Sequence, residues 1–240
     1  MRPQTVRSLV ATCLTVVNTT TSSVVAQVPD SPASRAFRFF EALPPGDART
    51  ALAAFRPAPI AVADRARALA TLPAEGELRP DAAEARKLAS LESVLSYHDR
   101  LGVLVIKVID VPQAAIGLCA RSILLLSRHA LRIVSADELQ ALVAHEMGHD
   151  FFWADHDRAR ARGDTQALQE VELKCDGIAA LTMASLGLDA DVLGSGVRKV
   201  THANEAIGAT ANASGYPDLV ERARFVREVL ALRSGQTVRR

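Results

Sequence analysis

One segment constrains this 240-residue chain more than any other: residues 135–151 read as a single helix with a glutamate among its apolar positions. Ser135, followed three residues later by Glu138, forms a capping box that starts the helix at about Ala136. Steps of about 100° per residue place Leu139, Leu142, Val143 and Met147 on one stripe, with Glu146 inside it and His145 and His149 on its flank. Burying an unpaired carboxylate is costly, so whatever surrounds this helix must supply partners for Glu146 and for both imidazoles. The helix therefore lines a polar site and does more than close a core.

His145-Glu146-Met147-Gly148-His149 has the form H-E-x-x-H. Two histidines four apart lie about 40° apart in projection, so both can reach one tetrahedral ion, and the glutamate between them can touch a metal-bound water. A catalytic zinc needs a third protein ligand. Glu172 and Asp176 are again four apart, on a second predicted helix whose apolar positions are Leu168, Val171, Cys175 and Ile178. Both carboxylates fall on one flank of that stripe, so Glu172 can bind the metal while Asp176 orients a ligand histidine from behind; the alternative is a solvated acidic face.

These two blocks, 145–149 and Glu172-Leu-Lys-Cys175-Asp176-Gly-Ile-Ala179, resemble the H-E-x-x-H and E-x-x-A-D-x-x-A pattern of the M48 metallopeptidases, the group that includes the CAAX prenyl proteases. A third block, Tyr216-Pro217-Asp218-Leu219-Val220-Glu221-Arg222, is similar to that family's late H-P-x-x-x-x-R segment. The resemblance covers roughly residues 100–230 and departs from the family at Cys175, in place of alanine, and at Tyr216, in place of histidine. It implies a mainly helical, zincin-like α+β domain with a small sheet packed on the H-E-x-x-H helix. It also implies a zinc endopeptidase holding one Zn2+ per chain through His145, His149 and Glu172. Glu146 would be the general base, Tyr216 a donor to the developing oxyanion, and Asp176 and Arg222 the supporting residues.

The rest of the chain fits one globular product. With 28 Lys and Arg against 27 Asp and Glu, the formal charge is +1, which offers no electrostatic reason for nucleic-acid binding. Residues 1–26 read as a signal peptide: Arg2 and Arg7 precede an apolar run too short to span a bilayer, and cleavage near Ala26 would release a secreted or periplasmic chain without stable membrane insertion. Residues 27–97 form a helical N-terminal region broken by prolines, with one helix starting near Asp81 and carrying Leu88, Leu91 and Leu95. Residues 98–232 form the metallopeptidase-like domain, and residues 233–240 a tail. Within the domain, residues 101–110 and 122–127 read as buried strands and residues 115–120 as an edge strand, to which an extended polypeptide substrate can add. Helices follow almost to the end, interrupted at Gly163 and over residues 187–196 and 208–217.

After signal removal the cysteines are Cys119 and Cys175, expected as thiols. His98, His129, His156 and His202 share no ligand spacing and are expected at the surface, with His156 close enough to the motif to line the cleft. Two rivals stand beside the M48 reading. One is a gluzincin peptidase of another family, against which the Tyr216–Arg222 block argues. The other is a non-catalytic or chaperone-like binding module that keeps the fold, against which the presence of Glu146 argues.

Overall fold

The structure, a computed structural model, describes residues 30–71, 78–209 and 215–235, so the expected signal peptide and the last five residues lie outside it. Five helices come first: α1 (Pro32–Glu41), α2 (Ala48–Ala53), α3 (Val62–Thr71), α4 (Ala82–Ala89) and α5 (Glu92–Tyr97). Three strands follow: β1 (Val105–Ile109), β2 (Ile116–Cys119) and β3 (Ile123–Ser127). The rest is helical: α6 (Arg128–Ile133), α7 (Ala136–Phe151), α8 (Trp153–Arg162), α9 (Thr165–Ser185), α10 (Val192–Ala206) and α11 (Leu219–Arg233). The class is α+β, mainly helical, and among the described residues no helix is long and apolar enough to cross a membrane.

Three of the N-terminal helices begin at side-chain caps: Ser31 accepts from Ser34 N–H, Asp47 from Thr50 N–H, and Asp81 and Glu84 form a reciprocal box. The helix expected to run on from Asp81 is instead two, α4 and α5. The Ser90 hydroxyl donates back to the Lys87 carbonyl while the Ser90 carbonyl accepts from the Gln140 side chain at 2.7 Å, which diverts the backbone bonding at the junction. Leu91 and Leu95 remain buried.

The sheet has the order β1-β3-β2, with β1 parallel and β2 antiparallel to β3. β2 is thus the edge strand expected at residues 115–120. β3 is mostly buried, as expected, but β1 is half-buried apart from Val108, because it forms the opposite edge, where the Val108 carbonyl accepts from Leu78 N–H.

Two apolar clusters hold these layers together. One joins Leu139, Val143 and Met147 of α7 to Leu124 and Leu126 of β3, Leu193 of α10 and Val226 of α11. The other joins Phe37 and Phe40 of α1 to Tyr97, Phe152, Leu173, Ile178 and Phe225. The N-terminal region therefore shares its core with the rest of the chain. The contact is close: a Cβ on Gly177 would stand 2.2 Å from the Phe40 ring.

α7 departs from the single stripe read in the sequence and is buried almost all round, Glu138, Gln140 and Asp150 included, because α9, α10, α5 and β2 surround it. Each polar residue finds a partner there: Lys199 and Ser195 bond Glu138, and Ser90 and Ser93 bond Gln140. The expected break over residues 187–196 ends sooner, at Asp191, and Gly196 lies inside α10, where a Cβ would approach Leu142 to 3.1 Å. A break that nothing in the sequence announced separates α7 from α8 at Phe152.

His98 corrects its expected surface position: it is 2% exposed, with Nε2 2.9 Å from Thr182 Oγ. Thr182 spends its only hydroxyl hydrogen on the Ile178 carbonyl, so His98 Nε2 must donate, and Nδ1 carries a lone pair with no partner. Burial, then the Arg56 and Arg100 charges, push its pKa down to about 3. The folded state thus binds fewer protons than the unfolded state below the ordinary histidine value of about 6.5, so this contribution is complete above that pH and is lost as pH falls toward about 3. Urea unfolding should show stability declining between about pH 7 and pH 4. The decline should be shallower in His98→Asn, and an identical slope would place its source elsewhere.

Candidate metal centre

α7 presents His145 and His149 one turn apart, with ring centroids separated by 5.1 Å. α9 crosses α7 at Gly148, where a Cβ would stand 2.6 Å from Cys175 Cα, so only glycine permits the approach. That contact brings Glu172 between the imidazoles, its Oε2 3.3 Å from His145 Nε2 and its Oε1 3.5 Å from His149 Nε2. A tetrahedral zinc with bonds of about 2.0–2.1 Å holds its ligand atoms about 3.4 Å apart, so each Glu172–imidazole distance matches that spacing, through a different carboxylate oxygen in each case, and the donor types suit the ion.

Behind His145 lies a buried charge relay. Asp176, with no exposure, accepts from His145 Nδ1 at 2.9 Å and from Arg222 through Nε at 2.8 Å and Nη2 at 2.6 Å. The bond from Nδ1 fixes the tautomer and turns Nε2 toward Glu172. Burial opposes charge throughout, but the partners outweigh it at three members: Asp176 and Glu172 raise His145 to about 10, Glu172 falls to about 2 beside the two histidines, and Arg222 holds Asp176 below the usual carboxylate range. At His149 burial prevails over the attraction of Glu172 and lowers it to about 4. A metal entering between these groups displaces the His145 proton, so binding strengthens as pH rises.

Glu146 points from α7 to the sheet edge, where its Oε2 accepts from Leu118 N–H at 2.9 Å. Ser127 N–H bonds the Ala115 carbonyl, and alternation along an antiparallel pair then turns the Leu118 amide away from β3, out along the free edge. Burial pushes the Glu146 carboxyl up to about 7, with the His145 charge and the Leu118 N–H limiting the rise. That value suits a group that takes up and returns a proton near neutral pH.

The chain thus brings together His145, Glu146, His149, Glu172, Asp176 and Arg222. Tyr216 stands three residues before α11 and is 44% exposed, at the solvent boundary and outside the core. Cys119 lies on β2 and Cys175 on α9, both as thiols. One ligand atom each of Cys175, His145 and His149 falls within 4.8 Å of the others; the Cys175 side chain lies against Gly148 where α9 crosses α7, and burial pushes its thiol pKa well up.

Two features go beyond the sequence reading, which has His156 only as a residue that could line the cleft and does not single out Asp150. His156 on α8 is half-buried and edge-on to His149, with ring centroids 5.2 Å apart; it comes to the centre through the break at Phe152, which neither Pro nor Gly marks. Asp150, next to His149, is buried and bonded by Arg100 at 2.5 and 2.9 Å and by Arg121 at 2.6 Å, which ties the end of α7 to the turn between β2 and β3. Its partners lie too far away in the chain for any spacing rule to reveal them. No protein-family model matches the chain, and no curated protein matches it.

Proposed function

We propose that the chain is a zinc-dependent endopeptidase of the M48 type, with His145, His149 and Glu172 as the metal ligands. The observation that carries this reading is the placement of Glu172 across the two imidazoles of the H-E-x-x-H helix, with Asp176 and Arg222 locked behind His145. Held by His145, His149 and Glu172, zinc would supply Lewis acidity to the attacking water and to the scissile carbonyl. Glu146 takes the proton of the attacking water and returns it to the leaving amine. The outward backbone groups of the β2 edge other than the Leu118 amide, which Glu146 holds, line up an extended polypeptide by its backbone, which favours unfolded segments over particular side chains.

Elemental analysis tests the ligand set. Wild type is expected to carry one zinc per chain and His149→Ala none; full occupancy in the variant removes the assignment. Tyr216, close before the helix that carries Arg222, is the proposed oxyanion donor. Tyr216→Phe should then lower kcat by about 10- to 10³-fold with KM and zinc content nearly unchanged, since the bond forms mainly in the transition state. An unchanged kcat assigns Tyr216 no catalytic part.

A further inference from the structure

We propose that His156 is a fourth protein ligand of the metal centre, an inference that rests on the zinc reading above. His156 lies in the first turn of α8, where its backbone N–H bonds the Phe152 carbonyl at 2.9 Å and its ring meets His149 at an interplanar angle of 73°. One ligand atom each of His156, His149 and Glu172 lies within 4.8 Å of the other two. Ring stacking alone would account for His156 beside His149, but it does not require the Glu172 carboxylate at the same point. Three donors from α7, α8 and α9 converging there is the arrangement of a coordination site.

Ligand atoms of a tetrahedral zinc stand about 3.4 Å apart, so His156 has to close on His149 and Glu172 by at most about 1.4 Å to coordinate. Only Ala159 of the ten residues of α8 is buried, although Phe152 at its N-cap and Trp153 in its first turn pack on the two cores, so a small shift of His156 has to come from its side chain more than from the helix. With His156 seated, the centre has four protein ligands and no open position, as structural zinc sites do. Hydrolysis requires an open position, so His156 has to leave the metal when substrate binds.

X-ray absorption at the zinc edge of the zinc-loaded full chain tests this by counting imidazoles. Three are expected in wild type and two in both His156→Ala and His156→Phe. The phenylalanine variant keeps the ring contact with His149 but cannot ligate. Competition against a chromophoric chelator should show zinc affinity at least about tenfold weaker in both variants. Two imidazoles in wild type, or wild-type affinity restored by phenylalanine, overturn the proposal while leaving the three-ligand centre intact. A wild-type chain that binds no zinc defeats the three-ligand reading itself, and the His149→Ala control distinguishes the two failures.

Discussion

Glu146→Gln is expected to lower kcat by about 10² to 10⁴ on an unfolded polypeptide while zinc content stays at one per chain. The amide fills the space of the carboxylate and its oxygen can still accept the Leu118 N–H, so the contact between α7 and the β2 edge survives. What disappears is the ability to take up a proton. Stability should not suffer. The folded pKa of about 7 lies above the ordinary glutamate value, so the carboxyl costs the fold stability as it ionises between about pH 4.5 and 7, and a neutral amide escapes that cost. A melting temperature at or above that of wild type at pH 8, together with lost hydrolysis, is the combined expectation. Wild-type hydrolysis by the variant places the activity elsewhere. A wild-type chain that binds zinc but hydrolyses nothing, with Glu146→Gln indistinguishable from it, is the result that the non-catalytic binding module predicts.

The parts of this site that follow from local rules were legible in the sequence. The Ser135 and Glu138 box forms with both of its bonds, and the i, i+4 pairs on α7 and α9 turn the histidines and carboxylates to common faces because helical geometry leaves them no alternative. The edge strand was legible as a short apolar run, residues 115–120, lying between two others. Features that depend on neighbours distant in sequence were not. α7 reads as amphipathic because Glu138, Gln140 and Asp150 are polar, yet each is buried against a partner at least 50 residues away, Lys199, Ser90 and Arg100 respectively. His98 is buried through Thr182, 84 positions on. His156 reaches the centre because the chain turns at Phe152, and an aromatic residue there belongs to the α1 and α9 core and carries no local signal for a break.

Arg222→Met is expected to produce the largest loss of stability. It leaves Asp176, which has no exposure, with His145 as the remaining partner described above, and breaking a buried pair on one side typically costs about 3–5 kcal/mol. For a chain of this size that is about 6–20 °C in melting temperature. Adding Asp176→Asn removes the stranded charge, so the double variant should recover most of the loss, because replacing both partners of a buried pair by uncharged groups is often close to neutral. Zinc affinity should not recover with it. The asparagine oxygen can accept from His145 Nδ1 but brings no charge to raise the basicity of the ring, and loss of such a supporting carboxylate typically weakens metal binding by about 10- to 100-fold. The two measurements should therefore part company, with the unfolding transition near that of wild type and the chelator competition well below it. Affinity equal to wild type in the double variant shows that Asp176 and Arg222 serve only to hold α9 to α11. A melting point in Arg222→Met within about 3 °C of wild type shows that the buried pair carries little of the fold.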